Sequence, residues 1–285
     1  MTKRIISLCV SVAVATMLTA QTKDGGISAQ MLKQMQGASR ASAMDKALSN
    51  AIASNPIDDL AKNFANQGPV DAYFSNETPK QSIMNQRSSG RCWMFSGLNV
   101  LRANFAKAHN DTLNVEYSQD YLFFYDQLEK ANLMLQGVID CAKKPMDDTR
   151  VQFFFKHPIN DGGTFCGVAD LAEKYGLVPK SIMPETYSAD NTNRMGKILS
   201  SKLREFGLEL RMVNSGKSTA AVKARKTEML STVYHILTLT LGEPVKSFQY
   251  AFKNKKGRIA SPVKTYTPLE FYRETVGGQL RRHLE

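Results

Sequence analysis

Residues 85–96 constrain the fold of this chain more than any other segment. They read Asn-Gln-Arg-Ser-Ser-Gly-Arg-Cys-Trp-Met-Phe-Ser, which places Gln86 six positions before Cys92, with Gly90 and Trp93 beside the cysteine. Gly90 permits a tight backbone turn, and the apolar stripe that follows predicts a helix over residues 92–109. We therefore expect a loop that delivers a cysteine to the N-terminal end of a packed helix.

The position of Cys92 is typical of a nucleophile. A free thiol is only a few per cent ionised at neutral pH, so a catalytic cysteine needs a lowered pKa. The N-terminus of a helix favours negative charge on the sulfur, and we expect the neighbouring Arg91 to add a little to that effect. The Gln86 amide and the Cys92 backbone N–H could both donate to a carbonyl oxygen under attack. A buried structural cysteine at a helix start is the alternative.

Residues 85–102 resemble the corresponding segment of bleomycin hydrolase and bacterial aminopeptidase C, a family of papain-like cysteine peptidases. Further similar segments lie at residues 117–132, 161–163, 175–180, 183–185, 241–244 and 266–272. The resemblance runs from about residue 60 to residue 275. It implies an α+β, papain-like fold, of which this chain contains mainly the helical lobe and a family insertion, with the β lobe incomplete.

The resemblance also implies roles for individual residues. Cys92 would be the nucleophile and Gln86 the oxyanion donor, while Gly162 and Gly163 would line the cleft and let a substrate backbone approach and pair. For the two glycines, an ordinary loop turn is the alternative. Papain has another cysteine at the position of Ser89, so that structural disulfide cannot form here. We expect no metal and no other cofactor.

The histidine and asparagine that complete such a site are not recognisable. Papain-like enzymes place them roughly 130–150 residues after the cysteine, which nominates His235 by spacing alone. The apolar pattern of residues 233–239 predicts a helix there, whereas the family's histidine lies on a strand. The family's asparagine precedes Ser-Trp-Gly, and Trp93 is the only tryptophan. We therefore expect a C-terminally truncated relative with very weak or no peptidase activity, since general acid–base help is worth about 10²–10⁴ in rate.

The N-terminus is typical of an export signal. Lys3 and Arg4 precede an uncharged run over residues 5–20, which is short for a membrane span of about 20 residues but suits a signal peptide. An uncleaved anchor or buried helix is the alternative. We expect cleavage after Ala20, a periplasmic or extracellular location and no membrane attachment afterwards. A polar leader over residues 21–56 and the N-terminal portion of a peptidase domain over residues 57–285 would follow.

The remaining elements follow from periodicity and turn signals. Helices are predicted over residues 118–135, 168–175, 195–211 and 219–241, and a weak hairpin over residues 248–252 and 258–263. The odd cysteine number after the signal argues against a disulfide framework, although Cys141 and Cys166 could pair. Cys141, His157 and Cys166 lack the close spacing of a metal site.

Three functions remain open. The first is a cysteine aminopeptidase with a peptide substrate, whose family forms homohexamers, so a homo-oligomer is expected only if that assembly is retained. The second is a non-catalytic peptide-binding remnant. The third function is nucleic-acid association. It is suggested by the net charge of +11 of this 285-residue chain and by its basic last third, but no recognised binding motif accompanies the charge.

Overall fold

The computed structural model describes residues 26–39, 42–66, 68, 71, 73–214 and 218–277. The chain divides into two compact units between Phe74 and Ser75. The predicted export signal over residues 1–20 lies outside the described residues, and the predicted domain boundary at residue 57 stays a prediction. Within the described ranges, no helix combines the length and apolarity that a bilayer crossing requires.

The first unit contains short, solvent-exposed helices. They are α1 (Ala29–Ala38), α2 (Ala43–Ser54), α3 (Ile57–Leu60) and a 3₁₀ turn (Phe64–Asn66). The Ser28 hydroxyl caps α1, and Ser42 and Asp45 form a reciprocal capping box at the start of α2. Such caps satisfy the first backbone N–H groups of a helix. Neither α1 nor α2 contains a buried residue, so local capping is the main visible contribution to their formation.

The second unit is mainly helical. Its helices are α4 (Cys92–Ala108), α5 (Gln119–Asp140), α6 (Thr149–Lys156), α7 (Phe165–Tyr175), α8 (Tyr187–Asp190), α9 (Thr192–Asn214), α10 (Thr219–Leu241) and α11 (Pro268–Thr275). The helices predicted over residues 92–109, 118–135, 168–175, 195–211 and 219–241 are confirmed. Three of them, α5, α7 and α9, extend a few residues beyond the predicted bounds, α4 ends one residue earlier, and α10 has the predicted bounds.

Helix α5 is the centre of this unit. The Ser118 hydroxyl accepts from the Tyr121 N–H and starts the helix, after which Leu122, Phe123 and Phe124 are fully buried in succession. Consecutive buried residues need neighbours on several sides of a helix. The α5 helix packs against α4, α6, α7, α9 and α10. Each large apolar side chain buried there contributes about 1.5–3 kcal/mol.

The predicted hairpin forms, but its second strand is displaced. Strands β1 (Phe248–Tyr250) and β2 (Lys264–Tyr266) pair antiparallel, with Phe248 opposite Tyr266. The turn over residues 254–257 is confirmed, because the Asn254 N–H donates to the Arg258 carbonyl at 2.9 Å. The strand predicted over residues 258–263 was wrong, since the segment includes Pro262, which has no N–H to donate to a ladder.

Gly176 brings the end of α7 against the start of α11. It has φ +83°, a left-handed conformation that glycine adopts without steric cost. A Cβ built on Gly176 would lie 2.2 Å from the Pro268 carbonyl carbon. The next residue, Leu177, donates its N–H to the Pro268 carbonyl oxygen at 3.0 Å. This close backbone approach therefore requires glycine.

We expect Gly176→Ala to lower the free energy of unfolding by at least about 2 kcal/mol, because it adds backbone strain and a clash with α11. Gly196→Ala is the matched control: Gly196 lies within α9 and a Cβ there has no neighbour within 4 Å. That control should be neutral or stabilise by up to about 1 kcal/mol. Urea unfolding of both variants measures the difference, and equal midpoints would contradict the expectation.

Candidate active site

Cys92 is the first residue of α4 and is exposed. Arg91 before it and Trp93 after it are both buried. The helix start is therefore anchored in the core on both sides of the thiol, while the sulfur-bearing residue faces solvent. The predicted helix beginning at Cys92 is confirmed, and the alternative of a buried structural cysteine is wrong. A thiol in this position experiences the partial positive charge of the helix N-terminus.

The loop before Cys92 is closed by two short hydrogen bonds. The Gln86 Nε2 donates to the Ser89 carbonyl at 2.6 Å, and the Ser89 hydroxyl donates to the Gln86 carbonyl at 2.6 Å. Gln86 is half-buried. A primary amide carries two N–H donors, so the bond to Ser89 leaves Gln86 one more hydrogen. The structure thus places Gln86 in the loop that leads to the thiol, with its side chain orientation fixed by that loop.

Asp161 connects this loop to two other segments. Its Oδ2 accepts from the Gly90 N–H at 2.6 Å and from the Thr192 hydroxyl at 2.6 Å. Its backbone carbonyl accepts from the Trp93 indole N–H at 2.9 Å. Gly90 and Trp93 are two positions before and one position after Cys92. Asp161 therefore holds the backbone on one side of the thiol and a side chain on the other.

The predicted cleft glycines follow Asp161 directly. A Cβ on Gly163 would lie 2.6 Å from the Trp93 ring, so glycine is required for this packing. Gly162 donates its N–H to the Asn160 Oδ1 at 3.0 Å and accepts from the Lys130 ammonium at 2.6 Å. Gly163 is exposed. Residues 160–163, called the glycine loop below, therefore contact helix α4 through Trp93.

Three ionisable side chains, Arg91, Asp120 and Glu185, form a cluster next to the loop that precedes Cys92. This loop, residues 85–91, is called the nucleophile loop below. Arg91 is turned inward, with its Nη2 2.7 Å from Glu185 and its guanidinium over the Phe123 ring. Asp120 is fully buried, and neither of its carboxylate oxygens has a hydrogen-bond partner among the described residues. Burial first, and then the negative charge of Glu185, raise the pKa of Asp120 to about 8, although Arg91 acts in the opposite direction.

None of the described histidines hydrogen-bonds the Cys92 thiol. His109 ends α4, which is 17 residues long, so it lies about 25 Å from the Cys92 end. His157 follows α6, and His235 is exposed within α10. The helix predicted around His235 is confirmed, in agreement with the interpretation that it is not the catalytic histidine. His283 lies outside the described residues.

The other cysteines do not form the disulfide that the sequence allowed. Cys141 is buried and Cys166 is exposed, and both are free. One is at the C-terminal end of α5 and the other is in the first turn of α7, which places them on different helices. No group of three or more metal-ligating side chains occurs in the part of the chain that the structure describes.

Part of the positive charge in the last third is neutralised by ion pairs. Arg225 pairs with Glu209 and Glu228, and Lys264 pairs with Glu274 at 2.7 Å. Paired cations contribute less to a long-range attractive potential than free ones. The net charge is therefore less available to nucleic acid than the composition suggests, and nucleic-acid association stays a prediction.

An exposed thiol at the start of a packed helix, beside a glycine loop, is an arrangement typical of papain-like cysteine peptidases. Residues 26–284 match the family model described as the Peptidase C1-like family. The chain belongs to the Peptidase C1-like family.

Individual relatives agree with this assignment. The chain is 39% identical to aminopeptidase C of Lactobacillus delbrueckii subsp. lactis over 236 residues, which cover 82% of this chain and 52% of the relative. It is 40% identical to human (Homo sapiens) bleomycin hydrolase over 210 residues, covering 71% and 45% respectively. This chain thus spans about half the length of the curated relatives it matches.

A solved structure confirms the fold. The crystal structure of PepW from Lactobacillus rhamnosis HN001 matches with a TM-score of 0.81 at 35% identity, covering 90% of this chain and 57% of that one. The predicted α+β class, with a helical lobe and an incomplete β lobe, is confirmed by this match and by the short two-stranded sheet of the described residues.

Sequence reasoning missed the residues that hold the site together. The sequence indicates Asp161 only as the first residue of a loop and similar segment, residues 161–163, and gives no sign of a role for Thr192 or Lys130. The Asp161–Gly90 hydrogen bond joins residues 71 positions apart, and no local pattern encodes such a pair. The inward orientation of Arg91 also has no local signal, because an arginine before an exposed cysteine reads as a surface residue.

The charge cluster predicts a pH dependence of stability. With a pKa of about 8 in the folded protein and about 3.9 in the unfolded chain, Asp120 holds a proton on folding that the unfolded chain has released. The free energy of unfolding should therefore fall as pH rises between these two values. Asp120→Asn cannot ionise, so the decline between pH 5 and pH 8 should be shallower.

Urea unfolding at pH 5, 6, 7 and 8 measures this slope. Asp170→Asn is the matched control, because Asp170 is exposed on α7 and its replacement should keep the wild-type slope. A slope that is the same in Asp120→Asn and in the wild type would show that Asp120 is not the group responsible.

Proposed function

We propose that this chain is the thiol-bearing, helical part of a cysteine-type aminopeptidase that acts on peptides. The observation that carries the proposal is the exposure of Cys92 at the start of α4 between two buried residues. The names of the relatives, aminopeptidase C and bleomycin hydrolase, support the same reaction class. A cysteine with a purely structural role would be expected to pack in the core, as Trp93, Met94 and Phe95 of the same helical turn do.

The chemistry follows from the helix start. The Cys92 thiolate would attack the peptide carbonyl carbon, forming a C–S bond and a negatively charged oxygen. The Gln86 amide hydrogen that Ser89 leaves free, together with the Cys92 backbone N–H, would donate to that oxygen. Loss of one such donor typically costs about 10²–10³ in rate. Collapse of this intermediate would expel the amine and leave an acyl-thioester on Cys92, which water would hydrolyse.

Gly163 is the glycine that we expect to hydrogen-bond with the substrate backbone. Both backbone polar groups of Gly162 are already hydrogen bonded, to Asn160 and Lys130. Gly163 is exposed and packs directly on the Trp93 ring, one residue from the nucleophile. We therefore assign the extended substrate backbone to Gly163, with Gly162 holding the loop in place.

Turnover requires a proton for the leaving amine. A histidine normally supplies it, and no histidine of the described residues hydrogen-bonds Cys92. We infer that these 285 residues alone hydrolyse peptides very weakly, because the missing acid–base help is worth about 10²–10⁴ in rate. Alkylation of the thiol needs only the thiolate, so it tests the nucleophile without this partner.

We expect a peptidyl chloromethyl ketone to alkylate Cys92 at least about tenfold faster than Cys166 at pH 7, because a peptidyl group bound along Gly163 holds the reactive carbon close to the Cys92 sulfur. Cys166 is a demanding internal comparison because it is also exposed and also lies in the first turn of a helix. Mass spectrometry of the two peptides after timed quenching measures the ratio.

Two variants control this experiment. Cys92→Ala should abolish the fast adduct, whereas Cys166→Ala should retain it. Equal labelling rates at the two cysteines would contradict the assignment of Cys92 as a nucleophile. Peptide binding that survives Cys92→Ala without any preferential labelling would instead favour the non-catalytic, peptide-binding alternative.

We further propose that the protein is exported, on the strength of the basic and then uncharged pattern of residues 1–20. Expression in a Gram-negative bacterium should give a periplasmic product whose N-terminus, by Edman sequencing, is Gln21. A version that lacks residues 2–20 should stay in the cytoplasm. An intact Met1 in the wild-type product would contradict the proposal. Light scattering of the mature product would show whether the family's oligomeric assembly is retained.

A further inference from the structure

We propose that Asp161 is a positioning residue for the Cys92 thiol: its carboxylate and its carbonyl fix the helix start from both sides and tie it to the glycine loop. This inference rests on the proposed function and deepens it. Asp161 does not touch the reacting atoms in this role. It acts through Gly90 and Trp93, the residues that set the direction in which Cys92 leaves the loop and enters α4.

The hydrogen bonds of the Asp161 carboxylate connect two other segments of the chain to the glycine loop. One oxygen, Oδ2, receives both the Gly90 N–H and the Thr192 hydroxyl at 2.6 Å. The carboxylate is packed so closely on Gly90 that a Cβ there would lie 2.4 Å from Asp161 Oδ1. Any other residue at position 90 would displace the carboxylate. The close approach of Asp161 therefore requires glycine at position 90, whose φ is not in the left-handed region.

The ionised state of Asp161 makes its carboxylate a strong hydrogen-bond acceptor. Burial opposes its ionisation, but the hydrogen bonds from Thr192 and Gly90, with the Lys130 charge, outweigh burial and hold the pKa of Asp161 below its usual range. An ionised acceptor forms shorter hydrogen bonds, about twice as strong as those of a neutral one. The bond to the Gly90 N–H is thus expected to persist across the neutral pH range.

Asp161 is itself held rigidly. The Lys130 ammonium donates to the carbonyls on both sides of it, Asn160 at 3.0 Å and Gly162 at 2.6 Å. Lys130 is in turn paired with Asp126 on the same helix at 2.8 Å. The Gln127 amide adds a second donor to the Asn160 carbonyl at 2.9 Å. The central helix α5 therefore fixes the loop from which Asp161 extends.

The nucleophile loop is anchored on its other side by backbone pairing. The Ser88 N–H donates to the Asp190 carbonyl at 2.9 Å, and the Thr192 N–H donates to the Ser88 carbonyl at 3.3 Å. Thr192 therefore contacts the loop directly and also donates to Asp161. Since Ser89 cannot form a disulfide, hydrogen bonds make these connections: Ser88 ties the nucleophile loop to the junction of α8 and α9, and Asp161 ties it to the glycine loop.

The consequence is a coupling between thiol reactivity and the glycine loop. Without the carboxylate, the loop before α4 loses the acceptor of the Gly90 N–H, and the first turn of the helix can fray. A frayed first turn weakens the field that stabilises the thiolate. The Cys92 thiol would then react more slowly with an electrophile.

The test is the rate of Cys92 alkylation by iodoacetamide at pH 7 in the full chain, read by mass spectrometry, with Cys166 in the same molecule as reference. Asp161→Ala should lower the Cys92 rate about two- to fivefold and leave that of Cys166 unchanged. Asp161→Asn should retain a near wild-type rate, because the carboxamide oxygen can still accept from Gly90 and Thr192. Asp170→Ala is the charge control and should change nothing.

The outcomes separate the possibilities. A folded Asp161→Ala protein with an unchanged Cys92 alkylation rate would overturn the proposal, as would equal losses of rate in the Asn and Ala variants. Removal of the negative charge alone would favour the nearby thiolate and raise the rate, which is opposite in sign. Should Asp161→Ala fail to fold, Thr192→Val must lower the rate by a smaller amount, and an unchanged rate there would overturn the proposal.

The proposed function is judged independently of Asp161. In the wild-type chain, a Cys92 alkylation rate equal to that of Cys166 would contradict the assignment of Cys92 as an activated nucleophile. A loss of rate in Asp161→Ala from a wild-type rate that is high at Cys92 supports both conclusions. An unchanged high rate in Asp161→Ala would retain the nucleophile and remove the positioning role.

Discussion

A carboxylate from one loop holds the backbone of another at the point where α4 begins. The hydrogen bond from the Gly90 N–H to Asp161 is the interaction on which the geometry of the candidate site depends. It is short, its acceptor is ionised, and it is supported by Thr192 and by the Lys130 ammonium on the Asp161 loop. Through it, the core around α5 determines where an exposed sulfur lies.

The same region carries an energetic cost. Arg91, Glu185 and Asp120 place three ionisable groups under the nucleophile, and several of their polar atoms have no hydrogen-bond partner among the described residues. Burial of a charge without full pairing destabilises a fold, and Asp120 escapes part of this cost by keeping its proton. The paired Arg91 therefore serves the core, and the helix N-terminus is the principal influence that the geometry offers to the thiolate.

Local features of this structure were predictable and long-range ones were not. Helix α4, the Ser118 cap and the stop at Gly176 depend on neighbouring residues, so periodicity and capping rules locate them. The second strand of the hairpin was misplaced because Pro262 moves the pairing further along the chain. Of the candidate site, the sequence identified Cys92 and its helix, whereas the contacts of Asp161 arise only when distant loops meet.

The chain matches about half the length of its relatives. The helical unit bears the exposed Cys92 thiol, the Gln86 amide and the exposed Gly163, to which we assign the roles of nucleophile, oxyanion donor and partner of the substrate backbone. None of the described histidines hydrogen-bonds the thiol. Under this proposal, proton transfer to the leaving amine requires a further group.

The central claim is that the start of α4 makes the exposed Cys92 thiol a reactive nucleophile. The most direct measurement is the rate constant for alkylation of Cys92 by iodoacetamide at pH 7 in the folded chain and in the same chain unfolded in urea. Our account predicts a rate constant about two- to fivefold higher in the folded chain, the size expected for a charge at a helix N-terminus. A rate constant that is equal in the two states, or lower in the folded chain, would contradict it.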